Sequence, residues 1–169
     1  MTNPGNKSNE SLRDHPTIAT EITCYIGNFN ALEAMLHLIF SQMINDKVGM
    51  THAFLSPWNS FAQKLGIIIE IAKLHGSNSQ ATIILNHEQN LKDLNTFRNL
   101  LAHSAYSVKD GNIEAISYIV SNRHPKTTAI TTAAIDKKRA LLRTVLDDFM
   151  RSVRKSDGTD GNVYRRTAV

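Results

Sequence analysis

PTIATEITCYIGNFNALEAMLHLIFSQMI, residues 16–44, places an apolar side chain at every third or fourth position: Ile22, Ile26, Phe29, Leu32, Leu36, Ile39 and Met43. That step matches the α-helical repeat, and Pro16 suits a first turn, where its missing N–H costs nothing. A long helix with one apolar side needs other elements to cover it. The rest of the chain offers mostly helices for that purpose.

Ser56-Pro57 reads as the opening of a second helix, with serine capping free amides and proline at the first position. Phe61, Leu65, Ile68 and Ile69 form its apolar side, and Gly76 is a natural stop. A third helix is expected from Asn78 to His103, with Ile83, Leu91, Leu94 and Leu101 on one side at 100° per residue. The period then changes. Tyr106 and Val108, followed by Ile113, Ala115, Ile116, Tyr118 and Val120, flank Asp110-Gly111, which predicts a short hairpin. A last helix from Thr132 to Arg154 carries Ile135, Leu141, Leu142, Val145 and Phe149 inward. The expected fold is mainly α: an up-and-down bundle of four major helices with a short β-hairpin before the last helix. Residues 1–15 read as a disordered N-terminal segment, 16–154 as the helical domain, and 155–169 as a disordered basic tail ending with Arg165-Arg166.

A chain of 169 residues suits one domain, and 41% hydrophobic with 20% charged residues is a globular composition. The net charge of +4 permits a polyanionic partner without demanding one. Cys24 is the only cysteine, which excludes an intrachain disulfide and a cysteine-rich zinc site; a buried thiol is the expectation. Residues 1–15 do not look like a signal peptide, and the most apolar runs, such as residues 65–72, are too short and interrupted to span a bilayer. A reducing cytoplasm is the expected location, with no membrane partner.

Arg98-Asn99-Leu100-Leu101-Ala102-His103 closes the expected third helix. Asn99 and His103 lie one turn apart and point away from the apolar side, while Arg98 lies nearer the core edge. Leu100 falls outside the apolar side, where a second subunit could meet it. Arginine holds phosphate through paired hydrogen bonds, and histidine moves protons near neutral pH. RNA carries its own nucleophile, the 2′-hydroxyl. Cleavage needs a proton acceptor, stabilisation of phosphorane charge, and protonation of the leaving 5′-oxygen. One subunit supplies a single histidine in this stretch, so a twofold dimer pairing two copies would fill both acid and base roles.

The stretch resembles the HEPN domain family, whose helical bundles typically carry Arg, a polar residue, three variable residues and His. Glu-Ala-Met-Leu-His-Leu-Ile-Phe (33–40) is also similar to the family's early helix, and the hairpin follows the motif as it does there. The resemblance implies a homodimeric, metal-independent endoribonuclease without a cofactor, of the kind found in toxin–antitoxin and antiviral systems. It assigns Arg98 and His103 to the catalytic pair, Asn99 to the polar position, and Glu33 to an acidic supporting position on the first helix. In a toxin subgroup a partner nucleotidyltransferase modifies a tyrosine two residues after the histidine. Here Ala105 holds that place and Tyr106 stands one residue later. RNA, a second copy of the chain, and an antitoxin or nucleotidyltransferase are the implied partners. Some members are non-catalytic modules that bind RNA, nucleotide or a protein. The plainer reading of the same residues has His103 favoured by the helix C-terminus and Arg98 paired with Glu33 or Asp93.

The remaining candidates read as structural. His37 is a partly buried polar residue, and His52, His75, His87 and His124 lack metal-binding spacing. Trp58 and Phe61 read as core rather than as a base-stacking platform. Lys137-Lys138-Arg139, with Arg143, Arg151 and Arg154, could guide RNA toward the cleft, but reads rather as a solvated helix face diluted by Asp147 and Asp148.

Overall fold

A computed structural model describes residue 12 and residues 15–46, 49–109, 112–117 and 126–160. Six helices and three strands run in the order α1 (Pro16–Met43), α2 (Met50–Leu55), α3 (Phe61–Leu74), α4 (Ser79–Asn86), α5 (Glu88–His103), β1 (Ala105–Lys109), β2 (Asn112–Ser117), β3 (Lys126–Ile130) and α6 (Thr132–Asp160). The protein is mainly helical with one small antiparallel sheet. Among the described residues no helix is long and apolar enough to cross a membrane. Tertiary contacts group into two compact units, one of residues 1–27 and 96–139, the other of 28–95 and 140–169.

In the larger unit the apolar side of α1 is buried as its spacing predicts, through Phe29, Leu32, Leu36, Ile39 and Met43, joined by Phe40. Leu65, Ile68 and Ala72 of α3, Ile84 of α4, Leu91 and Leu94 of α5, and Val145 and Phe149 of α6 are among the residues that complete this core. Each of these side chains larger than alanine contributes roughly 1.5–3 kcal/mol of transfer free energy. Phe29 meets Phe61 edge-on at 4.8 Å between ring centres. Lys64 of α3 donates to Glu33 of α1 at 2.8 Å. In the smaller unit Tyr25 of α1 packs edge-on against Phe97 of α5 at 5.1 Å. Ile22, Leu101, Ile113, Ala115, Ile130 and Ile135 are buried with them. Glu21 and Arg139 form an ion pair there.

Several elements differ from the expectation. Ser56 does not open a helix. Its N–H donates to the His52 carbonyl at 2.8 Å and closes α2, and Pro57 follows as proline does after a helix end. The cap of α3 is Ser60: its hydroxyl accepts from the Gln63 N–H, and the Gln63 side chain accepts from the Ser60 N–H. The expected third helix is two, because the chain leaves helical geometry at His87 (φ −103°, ψ 7°). The His87 N–H still reaches the Ile83 and Ile84 carbonyls, so the break is one residue wide. Its ring is held at the break: Nε2 lies 3.1 Å from Asp148 Oδ2, Nδ1 lies 3.3 Å from the Asn90 amide, and the ring stands edge-on to Phe149. The hairpin gains a third strand, β3, paired antiparallel to β2 with Ile113 opposite Ile130. Trp58 is exposed rather than core, and Cys24 is exposed rather than buried. The last helix continues past Arg154 to Asp160. Asp110-Gly111, Tyr118, Val120, His124, nearly all of residues 1–15, and residues 161–169 lie outside the described residues.

The two serines give a direct comparison. Ser60→Ala should lower stability by about 1 kcal/mol, the usual loss for a serine cap, whereas Ser56→Ala should change it by less than about 0.5 kcal/mol. Urea denaturation of both variants checks this, and equal losses would place the cap wrongly.

Candidate active site

The last turn of α5 is anchored from below by Phe97 and Leu101, which are 9% and 3% exposed. Those anchors turn Asn99 and His103 outward, one turn apart on the exposed side, and leave Arg98 half-buried. Arg98 Nη1 donates to Asn99 Oδ1 at 3.1 Å. Arg98 Nε is buried without a hydrogen-bond partner. With Nε buried, an anion at this residue would be met by the outer guanidinium nitrogens. Five N–H groups on one planar cation leave donors for such an anion after Asn99 has taken one. Leu100 is half-buried.

The helix ends at His103, and after Ser104 the chain enters β1 at Ala105. The final four carbonyls of an α-helix have no partner within it. One of these, the Leu101 carbonyl, accepts from the Tyr106 hydroxyl. Tyr106 sits opposite Ala115 in the β1–β2 register, so the sheet holds the ring in place. Burial pushes its hydroxyl up to about 12, which keeps it protonated and able to donate. This role is structural, and it commits the hydroxyl that the resemblance would make a modification target. His103 closes α5 at the pole where the helix dipole is negative.

Glu33 is held elsewhere in chemical terms: it accepts from Lys64, and His37 Nε2 lies 3.9 Å from the same oxygen. Burial, then the Lys64 charge, lowers the His37 pKa against the opposing pull of Glu33. Asp93 accepts from the Gln89 amide at 2.8 Å. The structure thus joins Arg98 to Asn99, and sets Asn99 and His103 on one exposed side.

On α6, Arg139 is taken by Glu21 and lies 3.6 Å from Asp136, and Arg151 lies 3.5 Å from Asp148. Lys137, Arg143 and Arg154 are exposed. The face is solvated and partly self-neutralised, as its mixed charges predict. Among the described residues no group of three or more His, Cys, Asp or Glu is arranged to hold a metal ion. Sequence reasoning missed the Glu33–Lys64 and Glu21–Arg139 pairs, which join residues distant in sequence and leave no local signal. Comparison with family models, curated proteins and solved structures found no match to this chain.

Tyr106→Phe should cost about 1 kcal/mol, the net worth of one hydrogen bond. The pH dependence has a defined sign. Because the folded hydroxyl holds its proton more tightly than the ordinary value near 10, its contribution is complete below pH 10 and is lost as pH rises toward 12. Thermal melts from pH 8 to 12 should therefore show the wild type's advantage over Tyr106→Phe shrinking and then reversing as pH rises, because ionising the buried hydroxyl also carries a desolvation penalty. A constant gap throughout would contradict the assignment.

Proposed function

We propose that this chain is a metal-independent endoribonuclease of HEPN type, acting as a homodimer. The observation that carries the reading is the end of α5, where an outward histidine lies one turn from an asparagine that holds an arginine guanidinium. The mainly helical fold and the antiparallel sheet after the motif are compatible with it. An up-and-down arrangement of four major helices belongs to the same proposal, as does a cytoplasmic toxin or antiviral role with RNA as partner.

In the proposed reaction His103 takes the proton from the ribose 2′-hydroxyl. The 2′-oxygen bonds to phosphorus, and the bond from phosphorus to the 5′-oxygen breaks. His103 of the second copy protonates that oxygen. The products carry a 2′,3′-cyclic phosphate and a 5′-hydroxyl. Arg98, held by Asn99, meets the extra charge that develops on the phosphoryl oxygens. Such fixed charge acts most strongly where water is excluded, which a dimer cleft would supply.

A non-catalytic RNA- or nucleotide-binding module is favoured by one observation, the single histidine at this helix end. It would bind without turnover. An antitoxin is compatible with the toxin reading, whereas a modifying nucleotidyltransferase is disfavoured by the engaged Tyr106 hydroxyl.

Because His103 is exposed, His103→Ala should keep the wild-type circular dichroism and melting temperature. It should lower the rate of RNA cleavage in EDTA by at least about 100-fold, as expected on removing a general acid–base. Cleavage by the purified variant at the wild-type rate would sink the assignment.

A further inference from the structure

The larger unit contains an open cavity of about 620 Å³ among the end of α1, α2, the turn after α2 and the start of α3. Its size lies in the range of small-molecule sites. One wall is apolar and wet: Trp58 is 40% exposed and Leu38 44% exposed. Trp58 lines the cavity with its side chain partly open to solvent, and an indole is a ring on which a planar ligand can stack. The other walls carry hydrogen-bonding side chains, including Ser56 and Asn59.

Charge decides what class of ligand fits. Lys64 lines the cavity, but its ammonium already lies 2.8 Å from Glu33. Asp46 adds a carboxylate, whose two oxygens accept from the Met50 and Thr51 N–H groups at 2.8 and 2.7 Å. His37 is pushed toward its neutral form by burial and by Lys64. A polyphosphate would meet one matched cation, one fixed anion and the imidazoles of His37 and His52, with no unmatched lysine or arginine among the described lining residues, so it gains little. A planar, uncharged ring with donors and acceptors on its edge gains from stacking on the indole and from the polar walls.

We infer that this cavity binds a nucleobase, stacked on Trp58 and held at its edge by Asn59 and Ser56. The base can belong to a free nucleoside or to an unpaired residue of RNA. The inference does not rest on the ribonuclease reading, because its residues are separate from Arg98, Asn99 and His103.

Trp58 is the only tryptophan of the chain, so its fluorescence reports this site alone. Adenosine should quench it saturably, and inorganic tripolyphosphate should not. A 2′-O-methyl oligoadenylate, which lacks the nucleophile for cleavage, distinguishes the sources. Tighter binding than adenosine assigns the site to RNA, and equal or weaker binding assigns it to the free nucleoside. Trp58→Leu, followed by calorimetry, should weaken binding by about tenfold or more, as loss of one stacked base requires. Asn59→Ala should weaken binding while leaving the fluorophore in place. No saturable quenching by adenosine or oligoadenylate overturns the inference. A response to tripolyphosphate alone overturns it equally, since that would mark a charge site.

Discussion

An α-helix cannot satisfy its own last carbonyls, and α5 must end where the chain turns into a sheet. The Tyr106 hydroxyl meets this constraint by donating to the Leu101 carbonyl. That single bond ties the helix end to β1, while Phe97 and Leu101 tie the same turn to buried surroundings. Everything attributed to Arg98, Asn99 and His103 depends on this placement. If the turn unwound, Asn99 and His103 would lose their common side, and Arg98 would lose the neighbour that fixes its guanidinium.

The chemistry follows from how each group is held. Arg98 is half-buried, with Nε buried and Nη1 donating to Asn99. Asn99 orients the guanidinium plane through that one hydrogen bond and keeps its own amide N–H groups for other partners. His103 is exposed and lies at the negative pole of the helix. The arrangement suits an anion approaching from solvent. It supplies one proton-transfer group per chain, which is why the proposed reaction calls on a second copy.

The sequence made some of this legible for plain reasons. The apolar side of α1 was readable because nearly every residue at the helical step is buried, and the outward pair on α5 was readable from the same periodicity. The start of α3 was not, because Ser56-Pro57 and Ser60 both carry helix-opening chemistry, and only the Gln63 side chain distinguishes them. The break at His87 was hidden because a one-residue pause scarcely changes the phase of the apolar pattern, and the residue that holds the His87 ring there, Asp148, is far away in sequence. β3 was missed because Lys126-Thr-Thr-Ala-Ile130 has a single buried apolar residue and is held by backbone pairing. Trp58 was misjudged since its exposure depends on the turn between α2 and α3. Of the candidate site, residue types and facing were legible, while the Arg98–Asn99 bond and the role of Tyr106 required the fold.

The proposed chemistry at the end of α5 would break a phosphodiester by one particular route. The most direct measurement is mass spectrometry of the fragment ends produced when the purified protein is incubated with single-stranded RNA in EDTA. Attack by the 2′-hydroxyl predicts 2′,3′-cyclic phosphate and 5′-hydroxyl ends, with no cleavage at 2′-O-methyl positions. Intact RNA, or fragments ending in a 3′-hydroxyl, would contradict the account.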